Sequence, residues 1–141
     1  METMSSLRKY AKEDGQGMPV FRLGVVGDCA TQHISTAIRG TGIKNGTDLR
    51  VFDADYNQIL AQTADPQSEL YAFEPNAVLV FCCTEKLYEE YQDTPLGERE
   101  NFAEKQLAGI ENVWKNIARF CSAKILQTTF TEYDDPVSSS Q

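Results

Sequence analysis

Apolar residues along this chain follow two rhythms. Four short, nearly continuous runs stand at 23–26 (LGVV), 49–53 (LRVFD), 76–83 (NAVLVFCC) and 123–130 (AKILQTTF), and these predict strands. The run at 76–83 is the most apolar, as a central parallel strand covered on both faces should be. Between the runs, apolar residues recur at three- and four-residue steps, the period of an amphipathic helix. Leu7, Tyr10 and Ala11 mark a short helix over 5–14, broken by Gly15-Gln16-Gly17. Ile34, Ala37 and Ile38 mark a second helix, with Gly40 placed to close it. Phe102, Leu107, Ile110, Val113, Trp114, Ile117 and Cys121 mark a long helix over 98–121. Asp65-Pro66 can cap and start a helix over 67–73, and residues 87–91 and the stretch after Thr94-Pro95 also read as helical. Tyr71, Phe73 and Trp114 are expected in the core, and Ser68 in the first turn of its helix.

Strands alternating with helices imply right-handed crossovers and a doubly wound parallel sheet in a three-layer αβα arrangement, with flavodoxin-like strand order 2-1-3-4. The chain divides into a helical lead-in (1–21), an α/β domain (22–133) and an acidic, then Ser-rich tail or linker (134–141), expected to be disordered. In such sheets ligands bind outside the carboxyl ends of the strands, where the winding reverses. That rule places Gly27, Asp28, Cys29, Ala30 and Thr31 opposite Cys83, Thr84, Glu85 and Lys86, with residues 53–57 flanking.

Cys29 is the candidate for chemistry at this rim. With Asp28 as the cap, it would stand at a helix N-terminus, whose dipole and unpaired N–H groups favour a thiolate. His33 follows four residues on, although residues one turn apart usually point past each other. Asp28, Thr31, Gln32, Tyr56, Asn57, Thr84, Glu85 and Lys86 are the candidate binding residues. Each also has a plainer reading: Asp28 as a helix cap, Thr31 and Gln32 as an ordinary polar first turn, Glu85 and Lys86 as solvated loop charges. Tyr56 and Asn57 have the least packing reason to stand where they do. Of Asp53 and Asp55, alternation lets only one face the site.

Charge and composition narrow the function classes. A formal net charge of −8 argues against general nucleic-acid or anionic-membrane binding. No apolar run reaches transmembrane length and no signal-peptide core opens the chain, so a cytoplasmic location is expected. The 4 cysteines (Cys29, Cys82, Cys83, Cys121) match no zinc spacing and there is 1 histidine, so no metal site is expected. Cys82 and Cys83 should point to opposite faces of their strand and not pair with each other. Free, mostly buried thiols are the expectation for a reducing compartment.

The motifs GDCATQ (27–32), FDADYNQI (52–59), DPQSELYAFEP (65–75) and FCCTEKLYEEY (81–91) together resemble the N-terminal domain of FkbH-like proteins. These are HAD-superfamily IIIC proteins of polyketide and polysaccharide biosynthesis, and this domain of theirs is similar to SGNH (GDSL-type) hydrolases. The resemblance implies that Cys29 stands where those hydrolases carry their serine nucleophile. It also implies handling of acyl, glyceryl or sugar intermediates, free or on a carrier protein. The oxyanion glycine and asparagine, the C-terminal DxxH and a fifth strand find no match. Nor does the DxDxT phosphatase motif, so the resemblance implies a truncated domain, with the HAD domain and its Mg outside this chain. Two readings follow: a hydrolase or acyltransferase with Cys29 in place of serine, or a catalytically inactive domain that binds a substrate or carrier, or serves as scaffold, for the HAD partner. No cofactor is expected in the chain itself.

Overall fold

In the computed structural model of the protein, which describes residues 3–129, the elements run α1 (Met4–Ala11), β1 (Val20–Gly27), α2 (Gln32–Lys44), β2 (Asp48–Asp53), α3 (Ile59–Ala64), α4 (Glu69–Ala72), β3 (Ala77–Phe81), α5 (Thr84–Asp93), a 3-10 stretch (Leu96–Asn101), α6 (Phe102–Phe120) and β4 (Lys124–Gln127). The four strands form one parallel sheet in the order β2-β1-β3-β4. The architecture is the doubly wound α/β arrangement expected from the alternation of elements. Phe130 and the expected tail at 134–141 lie outside the described residues.

Alternation along the strands sorts the core onto two faces. Leu23 and Val25 of β1 and Ala77 of β3 form one buried cluster, packed by Ile38 of α2 and by Leu49, Val51 and Leu79. Val26, Val78 and Val80 point to the other face, against Leu70, Tyr71, Val113 and Ile117 of α4 and α6. Leu70 and Ile117 are fully buried, and each contributes about 1.5–3 kcal/mol relative to exposure. Gly24 of β1 is small because a Cβ there would lie 2.5 Å from the Leu70 side chain. Tyr71 is buried as expected and donates its hydroxyl to the Thr63 carbonyl at 2.6 Å, with burial pushing its pKa up to about 12. Trp114 is only half-buried, because its indole N–H reaches out of the core to the Gln127 side chain at 3.0 Å.

Several boundaries differ from the sequence reading. Gly40 does not end α2; the helix runs on to Lys44, and Gly46 provides the positive φ (85°) just beyond it. Gly40 instead lies where α1 crosses α2, and a Cβ would come within 2.2 Å of the Leu7 carbonyl oxygen. The long final helix begins at Phe102 after the 3-10 stretch, and Leu107 on its expected inner face is 53% exposed. Ser68 makes no cap bond; its hydroxyl donates to the Gln62 carbonyl at 2.7 Å, tying α3 to α4. Arg39 forms a junction missed from sequence. Its guanidinium donates to the carbonyls of Ala11, the last residue of α1, and of Glu13 beyond it, to the Leu49 carbonyl and to Asp48.

Candidate functional site

The rim site is built where β1 and β3 end side by side. The winding passes to one face of the sheet through α2 and to the other through α3 and α4, so the loops after β1 and β3 leave in opposite directions and open a crevice. Gly27 closes β1 in a space where a Cβ would stand 2.9 Å from the Thr31 side chain and 3.1 Å from the Phe81 carbonyl oxygen. The Asp28 N–H donates to that Phe81 carbonyl at 3.2 Å, and the Asp28 carboxylate accepts the Cys83 N–H at 2.9 Å. The chain therefore crosses to β3 before it turns into a helix.

This crossing corrects two expectations. Asp28 does not cap α2; the residue before the helix is Thr31, and Asp28 holds the β3 loop instead. Cys29 accordingly stands outside the helix end, without the dipole that would favour its thiolate. Nor is it a free thiol: its Sγ is bonded to that of Cys83, with the Cα atoms 6.4 Å apart. Cys82 and Cys83 follow the end of β3, with Cys83 still in extended backbone, and this explains the choice of partner. Cys82 and Cys83 diverge, as the sequence implied; Cys83 takes the β1 side, while Cys82 stays free beside the Gln127 amide at 3.6 Å. Burial pushes the Cys82 thiol above its ordinary pKa.

The flanking loop arrives as topology predicts. The Asn57 N–H donates to the Gly27 carbonyl at 3.1 Å, with Asn57 at φ 58°, a left-handed turn that asparagine tolerates. The Thr31 hydroxyl, buried, donates to the Asp53 carboxylate. Tyr56 is exposed, and the Lys86 ammonium lies 3.5 Å from its hydroxyl and 5.9 Å from its ring centre. That hydroxyl, with Glu89 and Glu90 nearby, holds the Lys86 pKa above its usual value. Burial raises the Asp28 pKa, against the opposing pull of the Cys83 N–H and the Lys86 charge.

Asp28, Cys29, Thr31, Tyr56, Asn57 and Lys86 are thus tied into one rim, with Thr84 opening α5 beside it. Glu85 is exposed in the first turn of α5, and Gln32 and His33 turn instead towards a cavity shared with α1. Among the described residues no hydrogen bond joins His33 to Cys29. One ligand atom from each of Asp28, Cys29 and Cys83 lies within 4.8 Å of the others. With the two sulfurs bonded to each other, neither is a thiolate available to a metal. Cys83, placed at the rim by topology but given no role, is the site residue that the candidates lacked, and of Asp53 and Asp55 it is Asp53 that bonds into the site, through Thr31. Strand parity held the signal for Cys83: of two adjacent cysteines, one had to face the β1 loop.

Residues 22–140 match the family described as FkbH, N-terminal domain. The chain belongs to that family. Among curated proteins none matches it. Among solved structures, the chain is similar to the N-terminal part of the protein BF1531 from Bacteroides fragilis, a crystal structure containing a phosphatase domain complexed with Mg. The two agree with a TM-score of 0.88 at 27% identity, over 99% of this chain and 36% of that one. The present chain thus spans about a third of that structure, α1 included, although α1 lies ahead of the residues matched to the FkbH N-terminal domain. Among the described residues no helix is long and apolar enough to cross a membrane.

Proposed function

We propose that this FkbH N-terminal domain is an SGNH-like binding domain of a HAD-IIIC protein of polyketide or polysaccharide biosynthesis. It holds an acyl, glyceryl or sugar intermediate, free or carrier-borne, at the rim formed by Tyr56, Asn57, Thr84, Glu85 and Lys86. The chemistry belongs to a phosphatase-like HAD domain elsewhere in a longer protein, as in the BF1531 structure with its Mg-bound phosphatase domain. The observation that carries this reading is the Cys29–Cys83 bond, which ties up both cysteine nucleophiles of the rim. The Asp28 bond to the Cys83 N–H supports it by making that corner a structural clasp.

A second reading is favoured by what surrounds the same bond. In a reducing cytoplasm, the location proposed for the chain, the clasp opens to two thiols. The carboxyl group of Asp28, with its raised pKa, then lies within 4.8 Å of both sulfurs. Cys29 would accept an acyl group by attacking a thioester carbonyl and expelling the carrier thiolate, which takes up the proton that Cys29 gave to Asp28.

Intact-mass spectrometry separates the two. Oxidised and reduced protein are incubated with an acyl thioester of N-acetylcysteamine, alongside Cys29→Ser. The binding reading expects saturable binding, equal in the variant, with no acyl adduct. An adduct on the reduced protein that maps to Cys29 and is lost in the variant would overturn it in favour of acyl transfer.

A further inference from the structure

The cavity between α1, α2 and β2 has a different character from the rim. It is an open cavity of about 660 Å³, within the usual size of a small-molecule site. Arg8 of α1 and Lys12, the residue just past its end, both line it, and His33 lines it from the first turn of α2. Among the described residues neither Arg8 nor Lys12 is ion-paired. Arg39 also lines it, but its guanidinium is already committed to Asp48 and to three backbone carbonyls.

A second observation points the same way. Ser35 lines this cavity, is 7% exposed, and its hydroxyl oxygen is buried with no hydrogen-bond partner. A buried hydroxyl without a partner among the described residues is open to one held in the cavity.

We propose that this cavity binds a small molecule through a doubly charged oxyanion, either a phosphoryl group or a pair of carboxylates. Arg8 and Lys12 take the charge and Ser35 donates to it. Asp53 lines the opposite wall from β2 and repels negative charge there, so the anionic end of the ligand lies on the α1 side. The cavity meets the rim only through Gln32 and Asp53 and does not involve Cys29, so it stands or falls independently of the proposed rim function.

The test is calorimetric titration of the whole chain with inorganic phosphate and, separately, with malonate, paired with amide chemical-shift mapping. Saturable binding that perturbs Gln32, Ser35 and Thr36 is expected, tighter for the anion whose chemistry the natural ligand shares. Arg8→Gln/Lys12→Gln, both exposed positions, should weaken it by about tenfold or more, the loss of one or two charge-assisted bonds. Ser35→Ala should weaken it less, and Cys29→Ser not at all. Shifts that do not saturate, or equal affinity in the Arg8/Lys12 double variant, would overturn the proposal.

Discussion

The carboxylate of Asp28 accepts the backbone N–H of Cys83 at 2.9 Å, across 55 residues of sequence, while the next side chain, Cys29, is bonded to the same residue. The ends of the two central strands are therefore joined twice at one point, by a hydrogen bond and by a covalent one. Asp28→Ala should leave the Cys83 N–H without its acceptor and destabilise the domain by about 1–3 kcal/mol. Asp28→Asn keeps a carbonyl acceptor in place and should cost less. The two variants also differ from the native protein in pH dependence. Burial raises the folded-state pKa of Asp28, so its contribution to stability is greatest below the unfolded value and is lost as pH rises through the folded one. Urea titrations between pH 3 and 7 should show this loss in the native protein and not in Asp28→Asn; parallel profiles would refute it.

Opening the Cys29–Cys83 bond should be costly for the unfolding equilibrium. It closes a loop of sequence separation 54, for which a disulfide typically contributes about 2–4 kcal/mol, chiefly through the unfolded chain. Denaturation with and without a phosphine reductant measures this directly. The native sheet should survive reduction, because β1 and β3 pair from Leu23↔Ala77 to Gly27↔Phe81 independently of the sulfurs. An unchanged urea midpoint would mean that the bond does not form in solution.

The fold was largely legible because its signals are local. The apolar run at 76–83 reads as a central strand, and alternation with helices then left one economical winding. The rim followed from that winding, which is why Asn57 and Lys86 fall where topology puts them. What escaped notice depends on partners distant in sequence. Asp28 has every local mark of a helix cap, and only the arrival of the Cys83 N–H, supplied by a strand 55 positions away, shows that its carboxylate is spent elsewhere. Gly40 has the mark of a helix stop, yet its hydrogen atom is required by a helix that crosses it. Residue type reports the local option; the tertiary partner decides among options.

That crossing gives a third prediction. Alanine is the better helix former by about 1 kcal/mol, so Gly40→Ala would stabilise an isolated α2. Here the new methyl would meet the Leu7 carbonyl oxygen at 2.2 Å and that residue's backbone carbon at 2.9 Å, and backbone cannot step aside as a flexible side chain can. The substitution should push α1 off α2. Hydrogen exchange of residues 4–11 should accelerate, with β3 protection little changed, and the phosphate or malonate cavity should open with it. Unaltered exchange in α1 would contradict this.

Arg39 and Asp48 supply the last prediction. Asp48 is 5% exposed and receives Arg39 at 3.1 Å and Arg50 at 3.0 Å. Burial alone would raise its pKa, but the two guanidinium groups outweigh it and the carboxyl titrates below its ordinary 3.8. A depressed carboxyl contributes stability that is present above its unfolded value and disappears as pH falls through the folded one. The native protein should therefore lose stability below about pH 4 through this group, opposite in sign to the Asp28 effect. Arg39→Ala removes the closer-buried of the two cations and also strips donors from the Ala11, Glu13 and Leu49 carbonyls. Asp48 keeps Arg50, a more exposed partner, so the loss should be about 1–3 kcal/mol, short of that for a wholly unpaired buried charge. Because the same side chain holds the end of α1, Arg39→Ala should loosen α1 as Gly40→Ala does. It alone should also flatten the acid limb of the stability profile, and urea titrations of both variants at pH 3 and pH 7 distinguish a lost charge pair from a displaced helix.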